Sequence, residues 1–223
     1  MVWTFAPSPF LTGTLASYGS LARFKDVQRL HAVGNHTVLG ASGDMSDFQY
    51  IRSLLDDLVI EEFTEQDEHT LGPAEIHEYL SQLMYARRSK MNPLWNSLVV
   101  GGYKNGKKCF DSNFLVLHSM TEESIVHCRF LAYVDLLGTT YSASTIATGY
   151  GSYIAQPLLR KAVEGREDAL TEREAQTILE QSLLVLFYRD ARSLDKASLA
   201  NPSLLPPDLY SSSTKSPRSQ GTG

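Results

Sequence analysis

The chain has 223 residues, 43 % of them apolar, enough for one domain with a sizeable core and too many for a disordered polymer. Twenty Lys and Arg against 25 Asp and Glu leave a net charge of −5, without the cationic excess that a phosphate backbone demands, so nucleic acid is not an expected partner. No apolar run approaches the ~18 residues of a membrane span, and the apolar start lacks a basic leader and is broken by Pro7 and Pro9, so a place in the cytosol or nucleus is expected.

Residues 1–11 hold three aromatics and two prolines without two-residue alternation, and no strand pair is expected there. His31-Ala32-Val33 and residues 36–39 flank Gly34-Asn35, which tolerates positive φ, so the spacing predicts a hairpin with a two-residue turn. Ser46 with Gln49 three residues on forms a capping box, and Phe48, Ile51, Leu55 and Leu58 share one helical face, predicting a helix over roughly 46–63. After an acidic loop at 65–68, Pro73 suits the first turn of a second helix. Its stripe is Ile76, Leu80, Leu83 and Met84; it runs to about Lys90, and Pro93 bars its continuation.

Residues 95–103 are a β-rich run closed by Asn105-Gly106, and 131–135 with 139–141 supply two more strands around Gly138. A third helix follows Gly151, disturbed in its first turns by Pro157. A fourth starts at the capping box Thr171-x-x-Glu174, with Ala175, Ile178, Leu179 and Val185 facing inward. Helices in pairs around antiparallel strands predict a layered α/β packing, two sheets face to face with a helix pair outside each.

Few residues offer chemistry. His31, His36, His69, His77, His118 and His127 show no ligand spacing and read as surface or satisfied core histidines. Glu61-Glu62 and 65–68 read as solvated charge runs, and Arg87-Arg88-Lys90 is too short for a nucleic-acid patch. ATGYGS (147–152) ends a strand and opens a helix, yet lacks the Gly-Lys-Ser/Thr ending of a phosphate loop and reads as tight strand-to-helix packing. Cys109 and Cys128 are expected to be free thiols, and neither a metal nor a cofactor is expected.

Six segments in one order say more: SYGSLARF (17–24), GASGD (40–44), ARRSKMNPLWN (86–96), YVDLLG (133–138), ATGYG (147–151) and YRDARS (188–193). In sequence and spacing the chain resembles the β-type subunits of the 20S proteasome, and among them the non-catalytic subunit at the seventh ring position. The resemblance runs from about Leu15 to Lys196. It implies a four-layer αββα sandwich of the N-terminal nucleophile hydrolase type, incomplete at both ends, and a structural place in a hetero-oligomer. The implied partners are the two neighbours in the β ring, the α ring and the opposing β ring.

The departures define the expected organisation: an atypical N-terminus at 1–14, a β-type domain at 15–196 with an insert at 109–129, and a Pro/Ser-rich tail at 197–223, expected to be disordered. The resemblance places two adjacent central strands ahead of SYGSLARF and two strands after Lys196, which this chain is expected to lack. Joining Lys108 to Phe130 restores the strand KKFLAYVDLLG, so the insert is read as interrupting a return strand, either as a surface insertion or as retained non-coding sequence.

Active members use the α-amine and hydroxyl of an N-terminal threonine, tuned by a lysine and an aspartate. By resemblance the aspartate falls on Gly13 and the lysine on Arg29, Asp190 and Ser193 match, and a serine is replaced by Tyr150. Arginine does not titrate as the lysine must. Thr14 follows a glycine but precedes Ser17 by only three residues, without room for the strand pair, and is read as a decoy. No catalytic, cofactor-binding or metal residue is therefore expected. An active threonine peptidase and a non-assembling isoform are the alternatives.

Overall fold

The computed structural model describes residues 4–6, 17–18, 21–22, 27–65, 70–105, 127–167 and 169–189. In chain order the elements are β1 (Thr4–Ala6), β2 (Ser17–Tyr18), β3 (Leu21–Ala22), β4 (Leu30–Val33), β5 (Thr37–Gly43), α1 (Met45–Glu65) and α2 (Pro73–Ser89). They continue with β6 (Asn96–Asn105), β7 (His127–Val134), β8 (Thr140–Ser142), β9 (Thr145–Ala147), α3 (Gly151–Val163) and α4 (Glu172–Arg189). Strands β4 to β8 lie side by side in that order in one antiparallel sheet, β1 pairs parallel with β9, and β2 pairs with β3.

Alternation along the five-stranded sheet sorts its residues between two faces. Val33, Leu39, Ala41, Leu98, Val100 and Val134 form one core with Phe48, Ile51 and Leu55 of α1 and Ile76, Leu80 and Met84 of α2. From the opposite face Val99 and Leu131 meet Ile146 of β9. Ala147, next along β9, packs on Ala155 and Leu159 of α3 and Leu179 and Leu186 of α4. Helix pair, sheet, β1–β9 ladder and helix pair follow one another, which is the αββα arrangement of an N-terminal nucleophile hydrolase.

Several local expectations are corrected by packing. The first hairpin closes through the three residues Gly34-Asn35-His36, because Val33 pairs with Thr37. Only that register puts Val33 and Leu39 on the same, helix-facing side of the sheet; a two-residue turn would flip one of them outward. Helix α1 is capped by Asp44 rather than by Ser46: Asp44 Oδ1 accepts hydrogen bonds from the Ser46 N–H at 2.7 Å and the Asp47 N–H at 3.3 Å, and the Ser46 hydroxyl also donates to it. A carboxylate is the stronger acceptor at the positive helix end.

Helix α2 ends before Pro93 takes effect. The Met91 N–H donates to the Arg88 carbonyl and the Asn92 N–H to the Arg87 carbonyl, the two bonds of a Schellman cap. On α4 the capping box forms as expected, with the Glu174 carboxylate accepting from the Thr171 N–H at 2.9 Å. The inward face, however, is Ala175, Leu179, Ser182 and Leu186, while Val185 is 43 % exposed. Three- and four-residue steps from Leu179 reach 182 and 186, and 185 falls off that face.

Residues 1–11 were expected to hold no strand pair; among the described residues Thr4–Ala6 form a single strand there, paired parallel with β9, with Thr4 opposite Thr145 and Ala6 opposite Ala147. Its partner β9 is buried at all three residues, Thr145, Ile146 and Ala147, so that strand carries no alternation. The return strand is likewise uninterrupted: Asn105 pairs with His127, Lys104 with Cys128 and Tyr103 with Arg129. The last three insert residues therefore continue the ladder, and the additional chain enters at the hairpin end rather than within the strand.

Candidate functional site

The position that the resemblance assigns to the catalytic lysine is the best-defined part of the site. Arg29 precedes β4 and is only 3 % exposed; its backbone carbonyl accepts a hydrogen bond from the Ala41 N–H at 3.0 Å, and its Nη1 donates to the Gly43 carbonyl at 3.0 Å. Burial draws the pKa of the guanidinium below its ordinary value, and the nearby Asp44 carboxylate opposes that pull. A guanidinium keeps its proton across the physiological range, so the position supplies a fixed charge and hydrogen bonds, not a proton relay.

Arg29 belongs to a corner that explains two of the six sequence segments. Gly43 has φ 103°, and a Cβ placed on it would come within 2.2 Å of the Trp95 carbonyl oxygen, so GASGD needs its glycine there. Trp95 in turn accepts from the Asp44 N–H at 2.9 Å, and its own N–H donates to Asp47 Oδ2 at 2.8 Å. Buried Asn96 donates from Nδ2 to the Ser42 carbonyl at 3.2 Å and the Asp44 carbonyl at 2.8 Å. GASGD, PLWN and Arg29 are thus one hydrogen-bonded unit that fixes the start of α1 against the sheet.

The other residues singled out from the sequence are not gathered with Arg29. Tyr150 is exposed at the head of α3, where its carbonyl accepts from the Tyr153 N–H at 3.2 Å. Gly13, Thr14, Asp190 and Ser193 lie outside the described residues, as do His69, His118, Cys109 and the tail at 197–223. His31 Nε2 lies 3.1 Å from Asp56 Oδ1, tying β4 to α1. His77 is half-buried: its Nε2–H donates to the Tyr133 carbonyl at 3.3 Å, and its ring meets Phe130 edge-on at 5.4 Å. Burial lowers its pKa, and the Tyr133 carbonyl and Glu78 oppose the shift.

Glu62, one of the paired acids, uses its carboxylate to accept the Leu71 N–H at 2.7 Å and so spans the α1–α2 connection. At ATGYGS the Ser152 N–H and hydroxyl both return to the Gly149 carbonyl, so the turn binds itself. Among the described residues no group of three or more His, Cys, Asp or Glu is placed to hold a metal ion, and no helix is long and apolar enough to cross a membrane. Sequence reasoning missed the Arg29–Gly43–Asp44 corner. The signal was present, since an Asp directly after a strand-ending Gly and ahead of a helix is itself a cap pattern.

A family model described as Proteasome subunit matches residues 10–110 and 126–201, leaving out the interior of the insert. Proteasome subunit beta type-4 of Xenopus laevis is 45 % identical over 182 residues, covering 82 % of this chain and 66 % of that protein. Proteasome subunit beta type-7 of Saccharomyces cerevisiae is 46 % identical over 192 residues, covering 83 % and 65 %. The probable proteasome subunit beta type-7 of Schizosaccharomyces pombe is 46 % identical over 187 residues, covering 83 % and 64 %. The chain therefore spans just under two thirds of the length of these relatives.

Proposed function

Since this chain belongs to the proteasome subunit family, we propose that it serves as a non-catalytic, structural β-type subunit of the 20S core particle. The observation that carries this reading is Arg29. Its guanidinium is buried and committed to the Gly43 carbonyl at the position where an active member needs a titratable lysine. In this role the chain contacts its two β-ring neighbours, the α ring and the opposing β ring, and helps enclose the chamber in which other subunits cut peptide bonds. Its place is the cytoplasm and nucleus, and its β-type domain spans 15–196.

Purified full-length chain assayed with fluorogenic peptides tests the absence of catalysis, and no hydrolysis is expected. Hydrolysis that survives purification and disappears in Thr14→Ala would assign the chain to the active threonine peptidases instead.

A further inference from the structure

Just past the last turn of α2 stands an apolar side chain that the core does not use. Met91 occupies the left-handed position of the Schellman cap with φ 55°, where helices ordinarily place glycine because a Cβ is strained there. Its side chain is 91 % exposed, so no core packing offsets the strain. The left-handed turn lets the Met91 and Asn92 N–H groups reach the Arg88 and Arg87 carbonyls, and it leaves the Met91 side chain standing in solvent at the end of the helix.

Around Met91 the surface is cationic on a chain whose net charge is −5. Exposed Lys90 precedes it, and the two preceding arginines are held in place by stacking: the Arg87 guanidinium carbon lies 5.3 Å from the centre of the Tyr50 ring and that of Arg88 5.8 Å from the centre of the Tyr85 ring. At the start of α1, Asp47 is occupied by the Trp95 N–H and Asp44 by the helix cap. Stacked guanidinium planes lose little freedom on meeting carboxylates, which suits them to an interface rather than to a solvated face.

We infer that Lys90, Met91 and the stacked Arg87–Tyr50 and Arg88–Tyr85 pairs form a docking surface for an acidic segment of another subunit of the same particle. Met91 is the apolar anchor, and the three cations select carboxylates. The inference rests on the functional reading above, because the occupant is a fellow subunit.

Two measurements test it on the full chain. In the purified particle, carbodiimide coupling joins an amine only to a carboxylate in direct contact; mass spectrometry is expected to find Lys90 bonded to an Asp or Glu of another subunit. Met91→Gly relieves the strained cap and is expected to raise the melting temperature of the isolated chain by about 2–4 °C. The same change is expected to lower incorporation into the particle roughly five- to tenfold. A purely structural Met91 would move both readouts together. The surface is refuted if Lys90 couples only within its own chain, if Met91→Gly leaves incorporation unchanged, or if it lowers the melting temperature. A chain that purifies free of other subunits refutes the functional reading first, and this occupant with it.

Discussion

Arg29 acts as a strut between the start of β4 and the Gly43–Asp44 corner. Removing its side chain leaves the Gly43 carbonyl without its donor and the Asp44 carboxylate without its cation. Arg29→Met is therefore expected to cost about 1–3 kcal/mol in urea unfolding, and a change below ~0.5 kcal/mol would show that the corner stands without it. His77 gives the pH dependence. Its folded-state pKa is lowered from 6.5, so the unfolded chain takes up the proton first as pH falls. The contribution of neutral His77 is full above about pH 6.5 and fades below it. Melts from pH 7.5 to 5.5 are expected to show a decline that is shallower in His77→Gln; parallel profiles would contradict this. At this scale the sequence was least informative: a lone histidine and an arginine gain their partners only when the Tyr133 carbonyl and Gly43 come within reach through the sheet.

At the level of elements, α4 separates what periodicity can and cannot say. The capping box at Thr171 and the inward Ala175 and Leu179 were legible, but carrying the stripe forward put Val185 inside where Leu186 sits. Leu186→Ala is accordingly expected to cost about 2–4 kcal/mol and Val185→Ala less than ~1 kcal/mol, measured by thermal unfolding. Comparable losses at both positions would mean that the face is misassigned. The β6–β7 hairpin makes the second case. Deleting 109–129 lets Lys107 and Lys108 pair where Cys128 and Arg129 now do, with Asn105-Gly106 as a two-residue turn. Closing so much less chain is expected to stabilise the protein by roughly 2 kcal/mol, whereas a destabilised deletion would mean that the insert makes contacts of its own. The insert was misjudged because joining Lys108 to Phe130 fits the ladder as well as the strand that runs on from His127; only pairing distinguishes them.

Across the whole molecule the layers were legible because they follow from counting amphipathic faces: two helix pairs each need a covered sheet face, and antiparallel strands provide it. The β1–β9 ladder was not, since β9 is buried at all three of its residues and carries no alternation to read. The same architecture serves active and inactive members, so function rests on whether the chain joins the particle and whether it reacts there. One native gel of cells expressing a tagged full-length chain, labelled with a fluorescent covalent probe for N-terminal threonines, addresses both. The tag is expected to migrate with a particle of several hundred kilodaltons, and on a denaturing second dimension the probe is expected on neighbouring subunits and not on the tagged chain. A tag that runs apart from the particle, or a tagged chain that carries the probe, would contradict the account.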